Sequence, residues 1–108
     1  MLKIYPVVLE VIASLRPLLV QIERRDRDLA RQLRRAASSV ALNLAEGMYS
    51  RGKNRTVRYH TALGSMRETR ACLEVGVAFG YLSSLDVEIE RRCDHVTGTL
   101  VRLVDGPI

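Results

Sequence analysis

The sequence predicts an all-α protein, an antiparallel up-down-up-down four-helix bundle that takes residues 1–108 as a single domain. Three observations carry this. Apolar residues recur with a helical period along four segments of similar length, no segment alternates with the period of a strand, and the connections between segments are short. A chain of 108 residues has room for one modest core, and at that size partner copies can add stability by covering surface.

The first helix spans about 6–24, with Val7, Val8, Val11, Ile12, Leu15, Leu18, Leu19 and Ile22 on one side. Pro6 suits a first helical position, where its missing N–H is not needed. Pro17 is the anomaly, because an interior proline removes a hydrogen bond and crowds the preceding turn. It falls on the polar side with Glu10, so a solvent-facing kink accommodates it. A break into two short helices is the lesser alternative.

The second helix spans about 27–46, capped by Asp26 or Asp28, with Gly47 as the left-handed residue after its last turn. Its core stripe is Leu29, Leu33, Ala36, Val40 and Leu44. Arg27, Arg31, Arg34 and Ser38 line the opposite side, with Arg35 at the margin. Leu42 lies there too, too apolar for water, and hints at a second packing surface. Met48–Lys53 is the longest irregular stretch, punctuated by Gly47 and Gly52.

Asn54 can cap the third helix, about 55–79, whose stripe is Tyr59, Ala62, Leu63, Met66, Leu73 and Val77. Its other sides carry Gly64, Ala71, Val75 and Ala78, small or apolar enough to let another helix approach. Gly80 closes it. Ser83 or Ser84 caps the fourth helix, about 84–104, with Asp86 in its first turn. Leu85, Ile89, Cys93, Val96, Leu100 and Leu103 form its buried side, and Asp105-Gly106-Pro107 stops it.

Composition narrows the function classes. Apolar residues are 47% and charged residues 27%, ordinary for a globular protein. Aromatics are 5%, with no Trp and one Phe, which argues against stacking platforms for single-stranded nucleic acid. No apolar run approaches the roughly 20 residues of a membrane span, and the N-terminus lacks a small-residue cleavage site. A cytoplasmic protein with no membrane partner is expected. Cys72 and Cys93 have neither a CxxC pattern nor a Cys/His partner nearby, so both read as reduced thiols. Charge is uneven. Residues 24–70 hold twelve Arg or Lys against four acids, a balance of +8, while the flanks balance at −3. The basic charge of the middle can meet an anionic partner.

No enzyme constellation emerges. His60 and His95 lie among polar neighbours without ligand spacing. Glu46 and Glu68 lack the Glu-x-x-His motif of a diiron bundle, and Gly47–Lys53 lacks the spacing of a phosphate loop. A non-enzymatic protein without metal or cofactor is expected. More suggestive is a polar cluster. Ser39, Asn43 and Glu46 share one margin of the second helix, and Ser65 and Glu68 one margin of the third. They read equally as a buried network that fixes helix register and as a helix-end group that satisfies its own backbone.

Two stretches carry a resemblance. Leu29-Ala30-Arg31-Gln32-Leu33-Arg34-Arg35-Ala36-Ala37-Ser38-Ser39-Val40, continuing to Asn43-Leu44-Ala45-Glu46-Gly47, resembles the QIRRA..S...NIAEG signature of the bacterial four-helix bundle proteins. That family includes proteins encoded in intervening sequences of large-subunit ribosomal RNA genes. Tyr59, Ala62-Leu63-Gly64-Ser65 and Glu68 resemble its second signature, and Gly80-Tyr81-Leu82 the turn that follows. The match runs in register over residues 26–85. Pro17 and Ala41 depart from it, the latter where commoner members have proline. The resemblance implies a bundle assembled into a cyclic homopentamer, with Asn43, Glu46, Gly47, Gly64, Ser65 and Glu68 as structural motif positions. It also implies kinship with the accessory proteins of diversity-generating retroelements, basic pentamers that bind nucleic acid and a reverse transcriptase.

Two expectations follow. In the first, an oligomeric bundle binds RNA or DNA, structured RNA above all, through phosphate contacts. Arg27, Arg31, Arg34 and Arg35 make them, helped by Arg51, Lys53, Arg55 and Arg58. In the second, the same residues meet an acidic protein, such as a reverse transcriptase, or another subunit.

Overall fold

The computed structural model describes residues 2–105. Its helices are α1 (Ile4–Arg25), α2 (Arg27–Met48), α3 (Gly52–Ala78) and α4 (Val87–Val104), and no strand occurs among the described residues. The helices form a four-helix bundle measuring 44 × 24 × 20 Å. α1 packs on α2, α2 on α3, α3 on α4 and α4 back on α1, with the α2–α3 contact the most extensive.

α1 begins two residues before the expected Pro6, because Ile4 is itself a core residue. The helix runs unbroken through Pro17, whose ring is exposed. A proline on the solvent side sacrifices only a hydrogen bond that water can replace. α1 also corrects the expectation that no segment has the character of a membrane span. Its most apolar 18-residue window has a mean hydropathy of 1.4, long and apolar enough by length and composition to cross a bilayer. Glu10 and Arg16 interrupt the run without lowering its mean below that level. In the bundle Val8, Val11, Leu15 and Ile22 are buried in the core.

A single residue joins α1 to α2. Asp26, in extended conformation, donates its N–H to the Ile22 carbonyl at 2.7 Å and accepts the Leu29 N–H on its carboxylate at 2.9 Å. Asp26, not Asp28, is therefore the cap. The predicted stripe of α2 is buried, joined by Ala30, Ala37 and Ala41.

Gly47 requires a correction. It lies inside α2, which continues to Met48, and its backbone is not left-handed; among the described residues the positive-φ glycines are Gly52 and Gly80. Its role is steric, since a Cβ at Gly47 would stand 2.4 Å from Cε1 of the buried Tyr59. α3 then starts earlier than expected, at Gly52, which leaves Asn54 inside the helix and not at its cap.

Gly80, at φ 79°, closes α3 as predicted. The Gly80 N–H bonds to the Val77 carbonyl and the Tyr81 N–H to the Gly76 carbonyl, each at 2.9 Å, which is the paired bonding of a Schellman turn. Leu82 follows, buried at 2% exposure, and pins the turn to the core. α4 starts later than expected. Asp86 caps it by accepting the Glu88 N–H at 3.3 Å, so Ser83, Ser84 and Leu85 belong to the connection. Ile89, Cys93, Val96 and Leu100 are buried as expected, and Leu85 packs against the core from outside the helix. The Gly106-Pro107 part of the proposed stop lies outside the described residues.

Candidate nucleic-acid interface

A helix whose stripe of Leu29, Leu33, Ala36, Val40 and Leu44 is buried must turn the opposite side outward. Arg27, Arg31, Arg34, Arg35, Ser38 and Leu42 are accordingly all exposed on α2. Arg34 reaches back to Glu23 of α1 at 3.1 Å, and Arg31 lies 3.8 Å from Asp28. Among the described residues, Arg27 and Arg35 make no ion pair. The Ser38 hydroxyl donates to the Arg34 carbonyl at 2.8 Å, so it spends its proton on its own helix. Arg31 and Arg35 stand on a ridge between two depressions. One, on the outer face, reaches Ser38, Leu42 and Asn43; the other runs between α2 and α3 past Ser39, Ser65 and Glu68.

The other four candidates divide. Arg51 and Lys53 are exposed in and beside the α2–α3 connection, without an ion pair among the described residues. Arg55 donates from Nε to the Gly47 carbonyl at 3.1 Å and from Nη2 to the Met48 carbonyl at 3.5 Å. It thus caps the carbonyl end of α2, where a cation complements the helix dipole. Arg58 donates to Asn43 Oδ1 at 3.3 Å. The fold brings Arg58 against the Asn43 end of α2, and so beside the basic row.

The polar cluster forms across the α2–α3 contact, but not with all of its members. Ser65 donates to Ser39 Oγ at 2.7 Å, while the Asn43 amide donates to the Ser39 carbonyl at 2.9 Å and to its hydroxyl at 3.0 Å. Gln32 reaches Glu68 at 3.4 Å. Glu46 stands apart: it is exposed, and its carbonyl accepts from Tyr49 N–H and Ser50 Oγ. The cluster is thus half-buried and not a buried network: Ser39–Ser65 ties α2 to α3, Asn43 bonds back to Ser39 of its own helix, and Glu46 belongs to the helix end. Gly64 is exposed on α3, with open space where a Cβ would go.

Away from this face, Arg70 is held to Asp94 of α4 at 2.6 Å, which raises its pKa. Cys72 and Cys93 are free and buried, and desolvation pushes both thiols up. Among the described residues, no three of His, Cys, Asp or Glu converge as a metal would require.

Sequence reasoning missed Arg25, Phe79 and Tyr81. The Phe79 and Tyr81 rings stack with centroids 5.4 Å apart and 15° between planes, and the Arg25 guanidinium lies 5.6 Å from the Tyr81 centroid. The Tyr81 hydroxyl donates to Asp26 at 3.2 Å across 55 positions of sequence. No local pattern signals a contact over that separation.

An all-α bundle with a basic outer ridge, tied between α2 and α3 by Ser39, Asn43 and Ser65, is the class of protein that these observations define. The family model described as 23S rRNA-intervening sequence protein matches residues 8–102, reaching from α1 into α4. The chain belongs to that family, and the match takes in the first and fourth helices beyond the 26–85 of the sequence resemblance. No curated protein and no solved structure matches it.

Proposed function

We propose that this protein is a non-enzymatic, oligomeric bundle that binds structured RNA through the outward face of α2. The observation that carries the proposal is the row Arg27, Arg31, Arg34 and Arg35, four exposed cations of which two lack an ion pair among the described residues. A guanidinium not engaged by a carboxylate is available to phosphate, and each phosphate neutralised releases counterions. Arg51, Lys53 and Arg58 extend the row toward the other end of the helix, and Arg55 supports it by capping α2.

An up-down-up-down course is part of this reading; it is supported for the first pair of helices, where one residue joins α1 to α2 and the Leu2 N–H reaches the Met48 sulfur at the far end of α2. Copies assemble into a closed ring, a pentamer, which repeats the basic row in every subunit. Leu42, at 65% exposure, and Val57, at 60%, are available to such a contact. Leu42 also supports a second reading, in which the α2 face docks an acidic protein such as a reverse transcriptase. The protein works in the cytoplasm, with both thiols reduced.

Fluorescence anisotropy with a hairpin RNA tests the proposal. Log affinity should fall linearly with log salt, with a slope of about −0.9 per phosphate contact on duplex DNA and about −0.7 on single strands. The triple variant Arg27→Glu, Arg31→Glu, Arg34→Glu should lose binding while remaining folded and assembled. Unchanged binding in that variant, or none in the wild type at low salt, hands the site to the protein-docking reading.

A further inference from the structure

The chain has five aromatic residues, and the fold stacks two of them face to face at one end of the basic row. The arrangement follows from Gly80. Its left-handed backbone reverses the chain within one residue, so that Phe79 and Tyr81 meet as a parallel pair at 5.4 Å. Tyr81 is held from three sides: by Phe79, by the Arg25 guanidinium at 5.6 Å, and by its own hydroxyl donating to Asp26. Desolvation and the neighbouring Asp26 carboxylate keep that phenol protonated above its ordinary range. Phe79 has no such cover and remains 64% exposed. A flat ring braced by a second ring and largely exposed offers surface on which a base can stack.

Four arginines and three acids gather beside it. Asp26 lies in an open depression with Glu23, Arg24, Arg25, Arg27, Asp28 and Arg31. Two of its three acids are engaged, Asp26 by the α2 cap and Tyr81 and Glu23 by Arg34, while Asp28 makes only a long pair with Arg31 at 3.8 Å. Among the described residues, Arg24 and Arg27 have no ion pair. The aromatic pair adjoins this depression through Arg25 and Asp26, which line it and also hold Tyr81.

We propose that Phe79, braced by Tyr81, stacks an unpaired nucleobase of the bound RNA, with Arg24 and Arg27 holding the flanking phosphates. This rests on the RNA-binding reading above and adds to it. The basic row holds backbone of any sequence, while the platform selects RNA that presents a loop or bulge, since a paired base has no free face.

The test compares two labelled RNAs of equal charge, a hairpin with a single-stranded loop and a blunt duplex. Phe79→Ala should weaken the hairpin about 5- to 150-fold, the range of one lost base–aromatic stack. Duplex affinity and the salt slope should stay unchanged, because no phosphate contact is removed. Phe79→Trp should restore hairpin binding. As the chain has no other tryptophan, its fluorescence should be quenched by the hairpin and not by the duplex. Equal loss on both RNAs, no loss on either, or an unquenched tryptophan overturns the platform while leaving the basic face intact. A Phe79→Ala variant of lower molar mass by light scattering also overturns it, by showing that a second copy covers the ring. Failure of the wild type to bind either RNA at low salt removes the RNA-binding reading and the platform with it.

Discussion

Gly47 and Gly64 are both family-motif glycines on helices, and their surroundings give them opposite behaviour. At Gly47 the absent Cβ leaves room for the Tyr59 ring, whereas at Gly64 nothing lies within 4 Å. Gly47→Ala should destabilise by about 1–3 kcal/mol through overpacking. In the isolated chain Gly64→Ala should stabilise by about 0.5–1 kcal/mol, the helix-propensity gain over glycine. Urea denaturation of the two variants checks both signs. The buried thiols give a second prediction at this scale. Cys72 and Cys93 hold pKa values raised by desolvation. A group raised in the folded state contributes fully below its unfolded pKa and loses that contribution as pH rises toward the folded value. Their share of stability should therefore be intact at pH 7–8 and decline above about pH 8.5. A Cys72→Ala, Cys93→Ala variant should show a flatter decline than the wild type in urea midpoints measured across that range.

Among the elements, α2 does the most. It shares the largest contact with α3, carries the basic row, and is closed at each end by a side chain that also does something else. Asp26 caps its start and anchors Tyr81, and Arg55 caps its end as one of the basic residues beside the candidate face. Two residues of opposite placement test its orientation. Leu33 is fully buried, so Leu33→Ala should cost about 2–5 kcal/mol in lost transfer energy and cavity. Arg31, whose side chain is 68% exposed, makes only a long i,i+3 ion pair, so Arg31→Ala should stay within about 0.5 kcal/mol of wild type. Chemical denaturation of the pair checks the assignment, and equal losses would mean that the helix faces the other way.

At the scale of the whole molecule, several apolar side chains are left uncovered. Leu42, Tyr49, Val57 and Val87 are all more than half exposed, and Gly64, Ala71 and Ala78 present a small-residue surface along α3. A 12.2 kDa monomer leaves these positions in water, while the proposed ring would set them against the next copy. Light scattering at micromolar concentration should give a mass several times that of the chain. Replacing Gly64 with Leu should lower it if α3 is the contact, because a bulky side chain keeps the neighbouring backbone away. A 12.2 kDa particle for the wild type would remove the ring, and with it the summed positive surface that favours tight RNA binding.

Periodicity and charge were enough, from sequence, for four helices, for the buried stripe of α2 and for the outward placement of its arginines. Those depend on spacing along one helix, and a helix repeats its geometry every 3.6 residues wherever it occurs. The family was legible too, because its motifs are local runs. Helix ends were less so. Asp26 and Asp28 are equally able to cap, as are Ser83, Ser84 and Asp86, and only the path of the chain selects between neighbours. The reason for Gly47 was misread, since a left-handed turn and a close-packed ring leave the same letter in the sequence. Tyr59, twelve positions away, distinguishes them. The Ser39–Ser65 tie, the Arg58–Asn43 contact and the Phe79–Tyr81–Arg25 stack belong to the tertiary structure alone. Each joins side chains through a turn geometry or a packing register, such as the left-handed Gly80 or the docking of α2 on α3, that hydrophobic periodicity does not encode.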